Sequence, residues 1–335
     1  MLRNILIVVA AVTIACVLSG TAMAQPTTDP CTGYVGNGCQ FGPFVITSCP
    51  GWFNCIIPGP FLIECLARNP NCAPPTRADC PYCTQPVSLA DGNTWIEEVD
   101  ARIPGLSGGL TLGRRWNSIW PNQFGGSTGM FGMGWRSTYD ERLFVDVEYY
   151  IRYSRADGNV WAFGFNGNGW SVASPATEFA TLGKDGGTWR LIFKNGETRI
   201  FDYNSGSLTT IIDRNGNQTQ LTYDALNRLT TVTDPASRHL NFTYPSDTSR
   251  LVTGVSSDVG ISLSYSYDNQ GRLTQVTKQD QTTVNFTYNS QSLITAVTDS
   301  DGKVLESHTY DSSGRALTSS RAGGVEAVTL TYSSQ

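Results

Sequence analysis

A tyrosine recurs at a nearly fixed interval from residue 203 to the end of the chain, at steps of 20, 21, 23, 21, 22 and 22 residues. Similarity at a period of about 20 to 50 residues is typical of arrays of identical supersecondary units. The spacing therefore predicts a repeat protein. The seven positions are Tyr203, Tyr223, Tyr244, Tyr267, Tyr288, Tyr310 and Tyr332.

Each interval contains a turn directly after the tyrosine. Two copies begin with Asp268 and Asp311 and place Gly271 and Gly314 in the fourth position, which is typical of a type I β-turn. A third copy begins with Asp224 and has Asn in the fourth position, where asparagine tolerates left-handed backbone best after glycine. An arginine follows the turn in all three copies, and a short strand rich in Leu, Thr and Val comes next.

The second strand of each interval alternates between apolar and polar residues, as in Leu240, Phe242 and Tyr244. This alternation indicates a strand with one buried face. Two strands and two turns per interval predict an all-β fold, in which antiparallel hairpin repeats form one curved sheet with a single apolar face. One copy differs, because Glu306 and His308 occupy apolar positions. We interpret them as a paired polar spot or an exposed patch in preference to a catalytic dyad.

These repeats resemble the YD repeats of the Rhs family, which toxin-complex proteins, wall-associated proteins and teneurins share. About six copies are present, and the resemblance rests on the runs at 213–217, 223–229 and 267–273. The runs at 92–94, 100–105, 110–118 and 132–143 are similar to the segment that precedes YD repeats in bacteria, so the resemblance covers residues 87–335. It implies a β-shell that encloses a toxin or forms an adhesion scaffold. The run at 234–237 departs from the family's DPxG self-cleavage signature at Ser237 and is interpreted as an ordinary turn.

The first 24 residues have the features of a signal peptide. Arg3 precedes an apolar run at residues 5–18, and Ala22 and Ala24 form a small-residue cleavage site, so cleavage is predicted after Ala24. The apolar run is shorter than the roughly 20 residues that a membrane-spanning helix needs. We therefore predict no membrane span and a location in the medium, at the cell surface or in the periplasm.

Eight cysteines remain after the signal peptide, and all precede the repeats. An even number of cysteines in an exported segment rich in Gly and Pro predicts a small disulfide-rich module whose connectivity the sequence leaves open. The sequence at Cys80 and Cys83 reads CPYC, as in thiol oxidoreductases, but Pro86 opposes the helix that such a site needs. A structural disulfide is preferred over an oxidoreductase or a zinc site. The candidates are Cys31, Cys39, Cys49, Cys55, Cys65, Cys72, Cys80 and Cys83.

The sequence predicts five regions. They are a signal peptide (1–24), a Cys-rich disulfide module (25–86), the segment preceding the YD repeats (87–145), β-hairpins of the same sheet (146–202) and the YD repeats (203–335).

Several classes of function are disfavoured by the sequence. A net charge of −5 without basic clusters argues against nucleic-acid binding. Residues 105–109 match G-x-S-x-G, but Ser107 is followed by a strand and not by the helix of a hydrolase elbow. No catalytic residue, metal site or cofactor is expected.

We therefore expect a secreted YD-repeat structural protein, the N-terminal part of an Rhs-type shell used for encapsulation or surface display. Its expected partners are further YD repeats or a second copy that pairs through the open sheet edge. The alternative is a secreted carbohydrate-binding adhesin in which Trp161 and Trp170 stack on sugars, although packing is the preferred interpretation of both tryptophans. A CPYC thiol oxidoreductase is the least favoured alternative.

Overall fold

The computed structural model of the protein describes residues 40–41, 44–45, 87–88, 92–119, 128–147, 150–174, 178–321 and 324–332. Within these ranges the chain forms β-strands and a single 3₁₀ turn at Leu106–Gly108. The predicted signal peptide, the eight predicted disulfide cysteines and the CPYC sequence lie outside the described residues.

Twenty-six strands are defined in the described ranges. The first seven are β1 Gln40–Phe41, β2 Phe44–Val45, β3 Trp95–Ile103, β4 Leu110–Asn117, β5 Thr128–Gly129, β6 Gly132–Met133 and β7 Trp135–Ser137. The next eight are β8 Arg142–Val147, β9 Tyr150–Ser154, β10 Val160–Phe165, β11 Trp170–Ser174, β12 Ala180–Asp185, β13 Thr188–Phe193, β14 Thr198–Asp202 and β15 Leu208–Ile212. The last eleven are β16 Gln218–Tyr223, β17 Leu229–Thr233, β18 His239–Thr243, β19 Gly254–Ser257, β20 Ser262–Tyr267, β21 Leu273–Thr277, β22 Thr283–Tyr288, β23 Ile294–Thr298, β24 Val304–Tyr310, β25 Ala316–Arg321 and β26 Val325–Thr329.

Strands β8 to β26 form one antiparallel sheet in which each strand pairs with its neighbour in the chain. The sheet curls so strongly that its first strand, β8, meets the turn that precedes β15. Arg142 forms a bridge with Ser207, and the Leu143 N–H donates to the Gly206 carbonyl at 2.9 Å. The prediction of an all-β fold made of antiparallel hairpin repeats in a curved sheet is confirmed.

The apolar face of the repeats is buried inside the curl. In β18 the pattern alternates as expected, with Leu240 0% and Phe242 5% exposed while Asn241 between them faces solvent. The same alternation holds in β16, β20 and β22. Because burial of apolar surface away from water stabilises the folded state, this face needs a covering layer.

That layer is the part of the chain that precedes the sheet. Residues 92–119 and 128–141, here called the covering segment, contain β3, β4 and β7, which pair as a separate three-stranded sheet in the order β3-β4-β7. Their buried residues belong to one hydrophobic core together with those of the repeats. The curl is therefore filled by its own preceding segment in the described part of the protein.

The turns between strands use a left-handed residue at their fourth position. Glycine supplies this conformation at Gly216, Gly271, Gly302 and Gly314, each with φ between 73° and 85°. Four turns place another residue there instead: Asn227, Ser237, Gln281 and Ser292, with φ between 58° and 66°. A side chain in this region costs about 1–2 kcal/mol, so these turns store strain.

Three of these four turns have serine or glutamine in the left-handed position, and we expect glycine at these three positions to stabilise the protein. Ser237→Gly, Gln281→Gly and Ser292→Gly should each add about 0.5–1 kcal/mol to the free energy of unfolding, since relief of strain exceeds the extra entropy of the unfolded chain. The turns are separate, so the gains should add in the triple variant, measured by urea unfolding.

Asn227→Gly is the matched control. Asparagine tolerates the left-handed region, and its side chain contacts the Ser207 hydroxyl at 2.9 and 3.1 Å. This variant should gain nothing or lose stability. A triple variant no more stable than the wild type would contradict the strain assigned to these turns.

Candidate functional site

Six of the seven tyrosines form the same hydrogen bond. Each hydroxyl donates to the backbone carbonyl 15 or 16 residues earlier. In five cases this carbonyl belongs to the first residue of the preceding strand, and in the sixth it belongs to Val252, two residues before β19. The pairs are Tyr223 with Leu208, Tyr244 with Leu229, Tyr267 with Val252, Tyr288 with Leu273, Tyr310 with Ile294 and Tyr332 with Ala316, at 2.6 to 2.8 Å. The bond ties two strands together at the end where no hairpin turn joins them.

The aspartate and arginine of one repeat hold the tyrosine of the next. Arg228 donates from Nε to Asp224 Oδ2 at 2.7 Å, and its guanidinium carbon lies 4.6 Å from the centre of the Tyr244 ring. The Tyr244 hydroxyl then returns to the carbonyl of Leu229, directly after that arginine. Arg272 contacts Asp268 and the Tyr288 ring in the same way, and Arg315 contacts Asp311 and the Tyr332 ring.

The repeat-defining residues predicted from the sequence therefore act as one structural unit. Each turn aspartate also caps its own turn, as when Asp224 Oδ1 accepts the N–H groups of Leu226 and Arg228. Tyr203 is the exception, since its ring stacks on Trp189 with a centroid distance of 5.5 Å. Its hydroxyl donates to no earlier backbone carbonyl among the described residues.

Loss of one tyrosine hydroxyl should have a measurable cost. Tyr267→Phe leaves the carbonyl of the fully buried Val252 without its side-chain donor, so we expect the free energy of unfolding to fall by about 1–2 kcal/mol. Tyr203→Phe serves as the control and should change stability by less than about 0.5 kcal/mol. Equal effects of the two variants in denaturant unfolding would contradict the structural role of the ladder.

The turn aspartates link stability to acid pH. Burial disfavours the ionised form of Asp268, but hydrogen bonds from Arg272 outweigh it and the pKa of this carboxyl is lowered. Asp224 and Asp311 have lowered pKa values for the same reason. A pKa that is lower in the folded state stabilises the protein above the unfolded-state pKa, and this contribution is lost as pH falls through the folded-state value.

We therefore expect stability to decline as pH falls below about 4, the pKa of an unfolded-state aspartate. Asp268→Asn should reduce the steepness of this decline, because one of the linked carboxyls is removed. Thermal unfolding between neutral and strongly acidic pH measures both profiles. Superimposable slopes below pH 4 would show that this carboxyl is not linked to folding.

A buried ion pair within the covering segment contacts the repeats. Arg114 on β4 binds Asp100 on β3 through Nε and, at 2.8 Å, through Nη2, and the two side chains are only 1% and 2% exposed. The Tyr265 hydroxyl of the repeats donates to Asp100 Oδ2 at 2.8 Å. Burial by itself would lower the pKa of Arg114, but the Asp100 carboxylate outweighs burial and raises it.

Four aromatic rings surround the Arg114 guanidinium. Its carbon lies 4.6 Å from the centre of the Trp135 ring and 5.7 to 5.8 Å from three others, which belong to Phe131, Tyr265 and Phe286. Two of these rings come from the covering segment and two from the repeats. A cation held over desolvated ring faces gains about 2 kcal/mol or more, so this cluster joins the two layers.

Aromatic pairs extend the contact across successive repeats. Tyr139 meets Phe242 at 6.4 Å, Phe131 meets Tyr265 at 4.7 Å, and Trp135 meets Phe286 at 5.1 Å between ring centres. Trp135 is fully buried and also donates from its indole N–H to the Tyr288 hydroxyl at 3.2 Å.

The two layers are also joined through their backbones. The N–H of Val252 donates to the Met130 carbonyl at 2.9 Å, and the N–H of Ala316 donates to the Gly92 carbonyl at 2.9 Å. Gly92 has no room for a side chain, because a Cβ there would lie 2.2 Å from the Tyr332 hydroxyl oxygen. The covering segment is therefore an integral layer of the fold.

A cleft of about 690 Å³ lies beside the covering segment, where Ser107 of the G-x-S-x-G sequence meets the turns of the first repeats. Its charged lining consists of Glu197, Arg199, Asp213 and Arg214, and neither histidine of the chain lines it. Ser107 has a φ of 56°, but it lies on a 3₁₀ turn between two strands. The described residues thus give Ser107 no histidine base for hydrolase chemistry.

Glu306 and His308 form a polar spot inside the last part of the sheet. His308 is 2% exposed, and its Nε2 lies 3.4 Å from Glu306 Oε2. Arg321 on the neighbouring strand donates from Nε to Glu306 Oε1 at 3.1 Å. The turn at 234–237 is also regular: Ser237 takes the glycine position, and Asp234 binds Arg238 on its own turn.

Trp161 and Trp170 lie in the core, 4% and 7% exposed. The Arg155 guanidinium carbon lies 4.4 Å from the centre of the Trp161 ring, and Trp170 packs edge-to-face with Trp189 at 5.1 Å. Packing accounts for both residues, and neither presents an open face on which a sugar could stack. The alternative of a carbohydrate-binding adhesin stays a prediction.

The sequence did not reveal the roles of Asp100, Arg114 and Tyr265. The signal available was the alternation in β4, because Arg114 stands between Leu112 and Trp116 on the buried side of the strand. A charge at an apolar-face position indicates a buried partner. That partner, Asp100, lies on β3, and it also accepts a hydrogen bond from Tyr265 on β20, which is far away in the chain.

A curled sheet of tyrosine-clamped hairpins over a covering segment defines a YD-repeat shell protein. Family models agree along most of this region: a domain of unknown function, DUF6531, matches residues 84–163, the RHS repeat matches 195–239, and the teneurin YD-shell matches 235–319. The chain is a member of the Rhs/YD-repeat family.

Solved structures with similarity to this chain include a TcdB2-TccC3-Cdc42 complex, at 13% identity over 68% of this chain and 15% of that one, with a TM-score of 0.29. The Tc holotoxin pore of Photorhabdus luminescens matches at 13% identity over 68% and 14%, with a TM-score of 0.27. A porin-like protein from Bacteroides uniformis matches at 9% identity over 70% and 95%, with a TM-score of 0.28.

The chain thus spans about 15% of the length of the first of these structures. TM-scores this low carry no structural argument. The search of curated proteins found no match. Among the described residues, no helix has the length and apolar character needed to cross a membrane.

Proposed function

We propose that this chain is an exported structural protein that contributes a filled YD-repeat wall to a β-shell used for encapsulation or surface display. The observation that carries this proposal is the covering segment. Because its buried side chains share one hydrophobic core with those of the repeats, the described part is a packed support. This favours display or sealing over enclosure of a cargo within these residues.

The chemistry of the described residues supports a structural role. The polar groups described above have structural partners: the tyrosine hydroxyls bind carbonyls of neighbouring strands, the turn aspartates bind the arginines of their own turns, and Asp100 binds Arg114. These side chains are engaged with one another. We accordingly propose that the protein is not an enzyme and that it acts through assembly with further YD repeats or a second copy.

Export is the second part of the proposal and rests on the sequence of residues 1–24. Expression of the full chain in a bacterial host should give a mature protein that begins at Gln25, as measured by N-terminal sequencing. Its cysteines should resist alkylation until a reductant is added. A protein that keeps Met1 or has freely alkylated cysteines would contradict export through an oxidising compartment.

The structural role is tested separately with an epitope tag fused after Gln335. A display or sealing role predicts that added protease removes the tag, while the described repeats and covering segment remain intact. Enclosure of the tag by this chain alone predicts protection until the protein is unfolded. Digestion of the covering segment under native conditions would show that it does not form a packed wall.

A further inference from the structure

A second, smaller cavity lies at the rim of the sheet, where the end of the covering segment meets the tyrosine turns. Its volume is about 160 Å³, and its lining includes Tyr223, Tyr244 and three arginines: Arg142, Arg228 and Arg250. The arginines come from β8, from a regular repeat turn and from the long connection between β18 and β19. Three separate parts of the chain thus bring guanidinium groups to one cavity.

Two of these arginines have no carboxylate partner among the described residues. Arg142 donates from Nε and Nη2 to a neutral group, the carbonyl of Ser205, at 3.1 and 2.8 Å. Arg250 is exposed at the mouth of the cavity. Burial lowers the pKa of Arg142 and, with the like charge of Arg250, outweighs Tyr223 and Asp140, which raise it. Arg142 and Arg250 line the same cavity, and neither forms an ion pair among the described residues.

The third arginine shapes the site. Arg228 is neutralised by Asp224, but its Nη1 donates to the carbonyls of Ser246 and Ser249 at 2.7 and 2.9 Å. These bonds hold the connection that carries Arg250. The position of Arg250 is therefore set by a rigid repeat turn.

The two acidic residues in the lining are engaged elsewhere. Glu141 binds Arg199 Nε at 3.2 Å and accepts the hydroxyl of Tyr153 at 2.5 Å. Asp140 accepts the N–H of Ser137 at 3.0 Å, and burial raises the pKa of its carboxyl. Neither residue forms an ion pair with Arg142 or Arg250 within the described ranges.

We propose that this cavity binds a tetrahedral oxyanion, a phosphate or sulfate group, between Arg142 and Arg250. Guanidinium groups bind such oxyanions through paired, charge-assisted hydrogen bonds. Pockets for whole organic ligands usually measure about 300–1,000 Å³, so a cavity of about 160 Å³ suits a single oxyanion group. The anion would enter from the exposed side of Arg250, either free or carried on a larger molecule.

The proposal is tested by isothermal titration of the full-length protein with inorganic phosphate and with inorganic sulfate at constant ionic strength. Arg250→Gln removes an exposed cation without disturbing the core, and we expect it to weaken binding about tenfold or more, since a hydrogen bond to a charged group contributes about 1.5–3 kcal/mol. Arg214→Gln, at an exposed arginine on a repeat turn outside this cavity, is the matched control and should bind as the wild type does.

Glycerol phosphate and methyl sulfate form the second arm. Binding of these esters as tight as that of the free ions would indicate a group carried on a larger molecule, whereas binding of the free ions only would indicate a free anion. No binding of any of the four probes, or equal weakening by Arg250→Gln and Arg214→Gln, would overturn the proposal.

Discussion

Replacing Arg114 with methionine should be among the most destabilising single changes in this protein. Methionine fills part of the space between the four rings but, among the described residues, leaves the Asp100 carboxylate in the core with only the Tyr265 hydroxyl as a donor. Removing one partner of a buried ion pair costs about 3–5 kcal/mol, because the remaining charge is uncompensated. Urea unfolding should show a loss of that size.

A second substitution, at Asp100, should restore much of this loss. Arg114→Met combined with Asp100→Leu removes both charges, and replacing a buried pair by apolar groups is often neutral. The double variant should therefore be clearly more stable than Arg114→Met alone. The neighbouring pair of Arg115 and Glu97 is the control: Glu97 is 51% exposed, so Glu97→Gln should cost less than about 1 kcal/mol.

Two results of these stability measurements would contradict this explanation. If Arg114→Met and Glu97→Gln cost the same, Arg114 does not join the covering segment to the repeats. A double variant as unstable as Arg114→Met alone would show that the rings, and not the uncompensated carboxylate, determine the cost.

Trp135→Ala is the second change with a large expected effect. The indole is fully buried, packs on Phe286 and lies under the Arg114 guanidinium. Truncation removes this contact area and leaves a cavity between the two layers. Buried tryptophan or phenylalanine replaced by alanine costs about 3–5 kcal/mol, which is a large part of the stability of an ordinary domain.

Thermal unfolding of Trp135→Ala measures this loss, with Phe179→Ala as its control. Phe179 is an aromatic residue directly before β12 and is 65% exposed, so its truncation should change stability by no more than about 0.5 kcal/mol. Trp135→Phe keeps a ring on Phe286 and should fall between the two. Similar melting temperatures for Trp135→Ala and the wild type would contradict the close packing of the covering segment.

The fold could be predicted from the repeats because their information is local and redundant. A turn aspartate, a left-handed fourth residue and alternating apolar positions recur within each interval, so one misread copy is corrected by the others. Even the irregular positions were visible, since Glu306 and His308 break the alternation and form a polar spot in the structure.

The role of the tyrosines and the covering segment could not be predicted in the same way. Spacing marks Tyr244 as a repeat residue, but its contact with Arg228 depends on the curl of the sheet. The bond between Tyr265 and Asp100 joins residues separated by 165 positions, and no local pattern specifies it. The cavity between Arg142 and Arg250 likewise depends on how the strip closes on itself.

Hydrogen exchange at two backbone amides tests the central claim most directly. The N–H groups of Val252 and Ala316 donate to Met130 and Gly92 of the covering segment, and not to a neighbouring repeat strand. If the segment covers the apolar face, both amides should exchange as slowly as the central amides of β17 and β21, and Arg114→Met should accelerate them more than it accelerates those strands. Rapid exchange of both amides in the wild-type protein would contradict the account.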